Sequence, residues 1–117
     1  MSIESRTRPA TEVALPQTVD LVVSTIAKAC NPDRILLFGS AVNGTSGPDS
    51  DLDLLVIMDT DLPRHRRAAP LRLLFDPYPC PMDILVYTSQ EVDRWRGATN
   101  HIIAEALRTG RVVYERA

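Results

Sequence analysis

The sequence predicts an α/β (α+β) domain in which helices pack on a small mixed β-sheet. The prediction depends on short apolar runs of strand length, on helical spacing of apolar residues between these runs, and on turn-forming residues at their boundaries. A chain of 117 residues fits one domain. We therefore treat residues 1–117 as a single unit and expect residues 1–14 to be loosely ordered.

The first half of the chain predicts one helix followed by two strands. Apolar residues recur at helical spacing after Pro16, and Pro32 should end this helix. Residues 34–38 and 51–58 are apolar runs of strand length. The segment between the two strands is rich in Gly, Ser and Asn, which is typical of a loop.

The second half predicts a third strand between helices. Residues 61–75 form a helical pattern that Pro70 should kink or split, and a strand follows over 82–88. A capping box runs from Thr88 to Glu91. Trp95, on the short helix that this capping box opens, is expected to be a partly buried anchor. The chain then predicts a helix over 100–109 that Gly110 caps, and a strand or extended tail over 111–115.

Composition argues against two classes of partner. The formal net charge is −2, whereas stable binding of nucleic acid usually needs a basic surface. The sequence shows no signal-peptide core and no apolar run long enough to cross a bilayer, so we expect a cytoplasmic protein without membrane contact. Cys30 and Cys80 lack metal-type spacing and are expected to be free thiols.

Acidic residues open two of the predicted strands. With a period of 2, Asp51 and Asp53 lie on one face of their strand, while Leu52 and the alternate apolar residues point into the core. Neighbouring carboxylates repel each other, and a hard divalent cation such as Mg²⁺ removes that repulsion. Asp83 opens the next strand and joins them if the two strands are neighbours. The alternative is that all three acids are solvent-facing strand ends.

The residues that follow the first strand suit a phosphate. Gly39 lacks a Cβ, so its backbone can approach a ligand closely, and Ser40 offers a hydroxyl and a backbone N–H. A Gly-Ser pair alone is a weak signal and fits an ordinary turn. A Gly-Ser pair after one strand, with Asp-x-Asp opening the next, is a much stronger one.

The run "GSAVNGTSGPDSDLDLLV" resembles the signature of the nucleotidyltransferase superfamily related to DNA polymerase beta. The short chain and the ending "ALRTGRVVYE" resemble the minimal nucleotidyltransferase group, whose members often pair with a HEPN-domain protein as toxin and antitoxin. The resemblance implies a nucleotidyltransferase fold and a catalytic metal site on Asp51, Asp53 and Asp83. It also implies nucleotide contacts from Gly39, Ser40, Asn43 and Gly44.

The resemblance further implies a reaction. Two Mg²⁺ ions and ATP as substrate would serve transfer of a nucleoside monophosphate, most simply AMP, to a hydroxyl of a HEPN-domain partner protein. Two alternatives stay open: an antitoxin of the same fold that acts by contact alone, and a transferase acting on a small molecule of the aminoglycoside type.

One position departs from the family pattern. Asn43 stands where similar sequences commonly have an arginine, and an arginine fork neutralises phosphate far better than a neutral amide. Triphosphate binding is then weaker, or another arginine substitutes. Arg64, Arg66, Arg67 and Arg72 are candidates for contact with a triphosphate or an acidic partner, although the pattern favours a solvated helix face.

Overall fold

The computed structural model describes residues 17–38, 52–77, 79–99 and 101–116. The helices in these residues are α1 (Gln17–Cys30), α2 (Ala68–Arg72), α3 (Ser89–Trp95) and α4 (Ile102–Thr109). The strands are β1 (Arg34–Phe38), β2 (Leu52–Ile57), β3 (Met82–Tyr87) and β4 (Arg111–Glu115). A short 3-10 helix spans Arg64–Arg66. The predicted order of helices and strands is confirmed within these residues, and the last segment is a strand; the predicted loop between the first two strands and the predicted loosely ordered residues 1–14 lie outside them.

The four described strands form one mixed sheet in the order β3-β2-β1-β4. The central strand β1 runs antiparallel to both of its neighbours, β2 and β4. Strand β2 runs parallel to β3, which lies at one edge of the sheet. A parallel pair cannot be closed by a tight turn, so residues 58–81 cross from the end of β2 to the start of β3. We call this segment the crossover.

Apolar side chains cover both faces of the sheet. On the first face, α1 and α2 pack against alternate residues of the three neighbouring strands β1 to β3, including Leu54 and Val56 of β2. On the second face, α3 and α4 pack against the other set, including Leu55 and Ile57. The alternation of residues predicted that only the Leu52 face of β2 lies in the core. That prediction was incomplete, because helices cover both faces of β2.

The C-terminal end of α1 follows ordinary capping chemistry. Its buried stripe includes Val22 and Ile26, both with no exposed surface. The helix ends at Cys30, and the next residue, Asn31, has a φ of 47°. Asparagine is among the residues that tolerate this left-handed conformation, so Asn31 ends the helix before Pro32.

The last two helices have side-chain caps at their N-termini. The predicted capping box of α3 is confirmed: the Glu91 backbone N–H donates to Thr88 Oγ1 at 3.2 Å, and the Thr88 N–H donates to the Glu91 carboxylate at 2.9 Å. In α4 the cap is His101, whose Nδ1 accepts from the Ile103 N–H at 3.1 Å. The His101 ring also stacks on the partly buried Trp95 at 4.2 Å.

The crossover differs from the predicted kinked helix. It contains the short 3-10 helix and then α2, and the break between them falls at Arg67. Pro70 is the third residue of α2, in the first turn, where a missing N–H costs no helical hydrogen bond. The predicted split is therefore present, but Pro70 is not its position.

Arg67 is buried and was wrongly expected to lie on a solvated helix face. Only 9% of it is exposed. Its guanidinium donates to the carbonyl of Leu62 at 2.8 Å, to the carbonyl of Val86 at 3.2 Å, and to both Glu91 carboxylate oxygens at 2.7 and 3.2 Å. These bonds tie the crossover to the end of β3 and to the first turn of α3. They also compensate the positive charge of the guanidinium for the water that it loses on burial.

No helix in the described part of the chain is both long and apolar enough to cross a membrane. Neither Cys30 nor Cys80 forms a disulfide in the part of the chain that the structure describes, and burial raises the pKa of the Cys30 thiol.

The Arg67–Glu91 pair generates the first prediction. We expect Glu91→Gln to lower the free energy of unfolding at pH 7 by about 2 kcal/mol, because it leaves the buried Arg67 cation without its counter-charge. The hydrogen bond from Arg67 holds the pKa of Glu91 down at about 2. A carboxylate with a lowered folded-state pKa stabilises the fold above its unfolded pKa of about 4.5, and this contribution disappears as the pH falls towards 2.

Urea unfolding between pH 7 and pH 2.5 measures this difference. The matched control is Glu105→Gln, because Glu105 is an exposed helical residue whose ion pair among the described residues is with Arg108 on its own helix. A Glu91→Gln variant that matched this control at pH 7 would contradict the assignment.

The end of α4 generates the second prediction. A Cβ on Gly110 would lie 2.4 Å from the Ala106 carbonyl oxygen and 3.1 Å from that of Leu37. Since both contacts are with backbone, we expect Gly110→Ala to destabilise the protein by about 1–3 kcal/mol. Gly97→Ala is the control, because nothing lies within 4 Å of its added Cβ. Thermal unfolding should show a clear loss for Gly110→Ala and little change for Gly97→Ala, and equal melting temperatures would refute the clash.

Candidate functional site

Two of the predicted acids meet at one end of the sheet. Asp53 is the second residue of β2 and Asp83 is the second residue of β3. The two are Cα partners in the parallel ladder, and on its other side Asp53 is the Cα partner of Phe38, the last residue of β1. A row of three positions therefore crosses three strands at the end where β1 stops and where β2 and β3 start.

The parallel register fixes the relation between the two acids. The ladder holds from Leu52 and Met82 to Ile57 and Tyr87 without interruption, and the Leu52 N–H donates to the Pro81 carbonyl at 3.0 Å just before it. Residues directly paired in neighbouring strands point to the same face, and neighbouring strands lie about 4.8 Å apart. The side chains of Asp53 and Asp83 thus leave the same face of the sheet as neighbours.

The two carboxylates differ in their surroundings. Asp53 is partly buried between its neighbouring strands, whereas the side chain of Asp83, on the edge strand, is 67% exposed. Both lie on the second face, beyond the apolar cluster that α3 and α4 cover. A cleft of about 950 Å³ lies elsewhere, between the turn at 96–99 and α4, and neither acid is among its described lining residues.

An arginine side chain lies beside Asp83, the more exposed of the two acids. Arg72, the last residue of α2, places Nη2 3.9 Å from Oδ1 of Asp83. The neighbouring Leu71 is 3% exposed and anchors α2 in the first-face core, so the backbone that carries Arg72 is fixed beside β3. The site therefore combines two neighbouring carboxylates with one guanidinium at its margin.

The remaining predicted site residues, Gly39, Ser40, Asn43, Gly44 and Asp51, lie outside the described residues. Gly39 and Ser40 directly follow Phe38 in the chain, and Asp51 directly precedes Leu52. Within the described residues, no group of three His, Cys, Asp or Glu side chains is placed to hold a metal ion. The three-carboxylate site stays a prediction, of which the structure describes Asp53 and Asp83.

These two acids fit a divalent cation in donor type and spacing. Carboxylate oxygens are the ligands that Mg²⁺ prefers, at about 2.1 Å. Two oxygens on opposite sides of such an ion are about 4.2 Å apart, which carboxylates on strands about 4.8 Å apart can reach.

The structure divides the arginines of the crossover by environment. Arg67 is committed to Glu91, and Arg64 lies 4.9 Å from the ring centre of Tyr87, at the opposite end of β3 from Asp83. Arg66 is exposed and forms no ion pair with any described residue. Of these four, Arg72 alone has an ion pair with one of the two site acids that the structure describes. The sequence pattern did not distinguish these four arginines, because a run of basic residues does not show which of them will contact a distant part of the chain.

Comparison with known proteins gives a family match over most of the chain. The family model described as "Polymerase beta, Nucleotidyltransferase" matches residues 20–117. No curated protein sequence matches the chain.

Two solved structures share the fold at low sequence identity. One is a Sulfolobus solfataricus protein assigned to the nucleotidyltransferases, with a TM-score of 0.59, 16% identity, and coverage of 86% of this chain and 79% of that one. The other belongs to a toxin–antitoxin complex with AMP-PNP, with a TM-score of 0.59, 18% identity, and coverage of 82% and 72%. At these identities the likeness establishes the fold.

Proposed function

Because the chain belongs to the polymerase beta nucleotidyltransferase family, we propose that it transfers a nucleoside monophosphate, AMP from ATP, to a hydroxyl of a partner protein. The observation that carries the proposal is the pairing of Asp53 with Asp83 on neighbouring parallel strands. Neighbouring carboxylates repel each other, and a divalent cation offsets that repulsion.

In this proposal Asp53 and Asp83 hold Mg²⁺, and Asp51 completes the set from the residue before β2. When bound, two such ions supply charge neutralisation on the phosphates and a lower pKa for the attacking hydroxyl. Gly39 and Ser40 bind the triphosphate, and Asn43 and Gly44 belong to the same loop.

The bond changes are those of an in-line displacement. The acceptor hydroxyl oxygen forms a bond to the α-phosphorus, and the bond from that phosphorus to the pyrophosphate oxygen breaks. The hydroxyl proton passes to a carboxylate oxygen of Asp83, which is the more exposed acid and the one an acceptor can approach. Pyrophosphate leaves with the negative charge.

A protein acceptor is favoured by two observations. The exposed edge position of Asp83 leaves room for a large substrate. One structural neighbour belongs to a toxin–antitoxin complex with AMP-PNP. We propose that the partner is a HEPN-domain toxin and that AMP is attached to one of its hydroxyl side chains, as expected from the minimal nucleotidyltransferase resemblance.

A second function is favoured by one residue. Asn43 replaces the arginine of similar sequences, and a neutral amide binds phosphate more weakly. A protein that retained the fold but lost efficient transfer could still neutralise a toxin by contact. The two functions differ in whether the partner becomes labelled.

The test is transfer of label from α-labelled ATP with Mg²⁺ to the product of the adjacent gene. We expect label on the partner, and we expect Asp53→Asn to reduce transfer by at least about 1,000-fold, because it removes a carboxylate that would hold the metal ions needed to neutralise the reacting phosphates. Asp61→Asn is the control, since Asp61 is an exposed acid of the crossover. Circular dichroism checks that each variant folds.

Three outcomes are informative. Wild-type turnover in Asp53→Asn would refute the role of this acid. A stable complex without label, unchanged by Asp53→Asn, would support the contact-only antitoxin. In a parallel reaction with an aminoglycoside added, label on the aminoglycoside and none on the partner protein would move the acceptor to the small-molecule class.

A further inference from the structure

The ion pair between Arg72 and Asp83 has the properties of a contact that can be broken. The two groups are 3.9 Å apart, and their side chains are 40% and 67% exposed. An exposed pair at this distance contributes little to stability, because water solvates both charges well. Leu71 meanwhile keeps the backbone of α2 in place. The Arg72 side chain can therefore leave Asp83 without any change in the fold.

We propose that Arg72 is a movable counter-charge: it neutralises Asp83 in the metal-free protein and contacts the triphosphate once a divalent cation occupies that carboxylate. This inference rests on the proposed function, because it takes Asp83 as a ligand of that cation. It adds a residue that contacts the substrate. It also states that the guanidinium of Arg72 binds first Asp83 and then the triphosphate.

Electrostatics gives the reason for the change of partner. Arg72 and a divalent cation compete for the same carboxylate oxygen, and each repels the other when both are near Asp83. The triphosphate that accompanies the cation brings a larger negative charge to the same place. A guanidinium forms two parallel hydrogen bonds with phosphate, so the phosphate replaces the carboxylate as its partner.

The other arginines of the crossover are poor candidates for this role. Arg67 is buried and bound to both Glu91 oxygens, and Arg64 lies over Tyr87 at the far end of β3. Arg72 is the member of the group that lies against a site acid. The loop after β1 has Asn43 where similar sequences have arginine, so a cation from α2 offsets a charge that the loop lacks.

Two titrations test the proposal in the full chain. The first measures Mn²⁺ binding without nucleotide, from the paramagnetic resonance signal of free Mn²⁺. The second measures binding of a fluorescent, non-hydrolysable ATP analogue at saturating Mn²⁺. We compare wild type with Arg72→Gln, with Arg72→Lys and with Arg66→Gln. Arg66 is the matched control, because it is an exposed arginine of the same segment without an ion pair among the described residues.

The expected effects have opposite signs. Arg72→Gln should tighten Mn²⁺ binding about threefold, because the competing cation is gone. The same variant should weaken binding of the analogue about tenfold, because a phosphate contact is lost. Arg72→Lys keeps the charge and should lie between wild type and Arg72→Gln in both titrations, whereas Arg66→Gln should change each by less than about twofold.

The failure of this inference is distinguishable from failure of the proposed function. If Arg72→Gln matched Arg66→Gln in both titrations, or shifted both affinities in the same direction, Arg72 would not be a movable counter-charge, while wild-type binding would still support the proposed function. If the wild type bound neither Mn²⁺ nor the analogue, both proposals would be wrong. Thermal unfolding of each variant ensures that the comparison is between folded proteins.

Discussion

The parallel pairing of β2 with β3 is the interaction on which the rest of the structure depends. It aligns Asp53 with Asp83, and a shift of one residue would send one of them to the opposite face of the sheet. A parallel pair also requires a connection that returns the chain to the end of the sheet at which the first strand began. Here that connection is the crossover, which carries both the buried Arg67 and the site-facing Arg72. The constraint that creates the acid pair therefore also brings a cation to it.

The Arg67–Glu91 pair shows how the crossover is held in place. A buried ion pair adds stability only if its hydrogen bonds are satisfied, since both charges lose water. Arg67 meets that condition with two backbone carbonyls and both oxygens of Glu91. Glu91 serves two purposes, because the same carboxylate also accepts the Thr88 N–H in the capping box of α3. One carboxylate thus joins the crossover, the end of β3 and the start of the next helix.

Patterns of neighbouring residues predicted the parts of the fold that depend on interactions between residues close in sequence. Helical spacing located α1, apolar runs located β1 and β2 to within a residue, and the Thr88–Glu91 spacing predicted the capping box. The same patterns failed for contacts between distant segments. Arg67 has the same side chain as Arg66, and its contacts with the carbonyl of Val86 and the carboxylate of Glu91, both distant in sequence, distinguish its position. Asp53 and Asp83 were predicted as candidates, but their pairing required the strand order, which no periodicity contains.

The exposure of the site argues for a partner that completes it. Electrostatic stabilisation of a transferring phosphoryl group is strong where water is excluded and weak where it is not. Asp83 lies on an edge strand with two thirds of its side chain exposed, and Arg72 beside it is 40% exposed. A protein surface that covered this edge would strengthen every charge interaction in the site at the moment when the acceptor hydroxyl arrives. In the proposed transfer, contact with the partner would then both activate the reaction and make it specific for that partner. A nucleotide bound without the partner would stay in a solvated environment, where the charges of the site polarise it weakly.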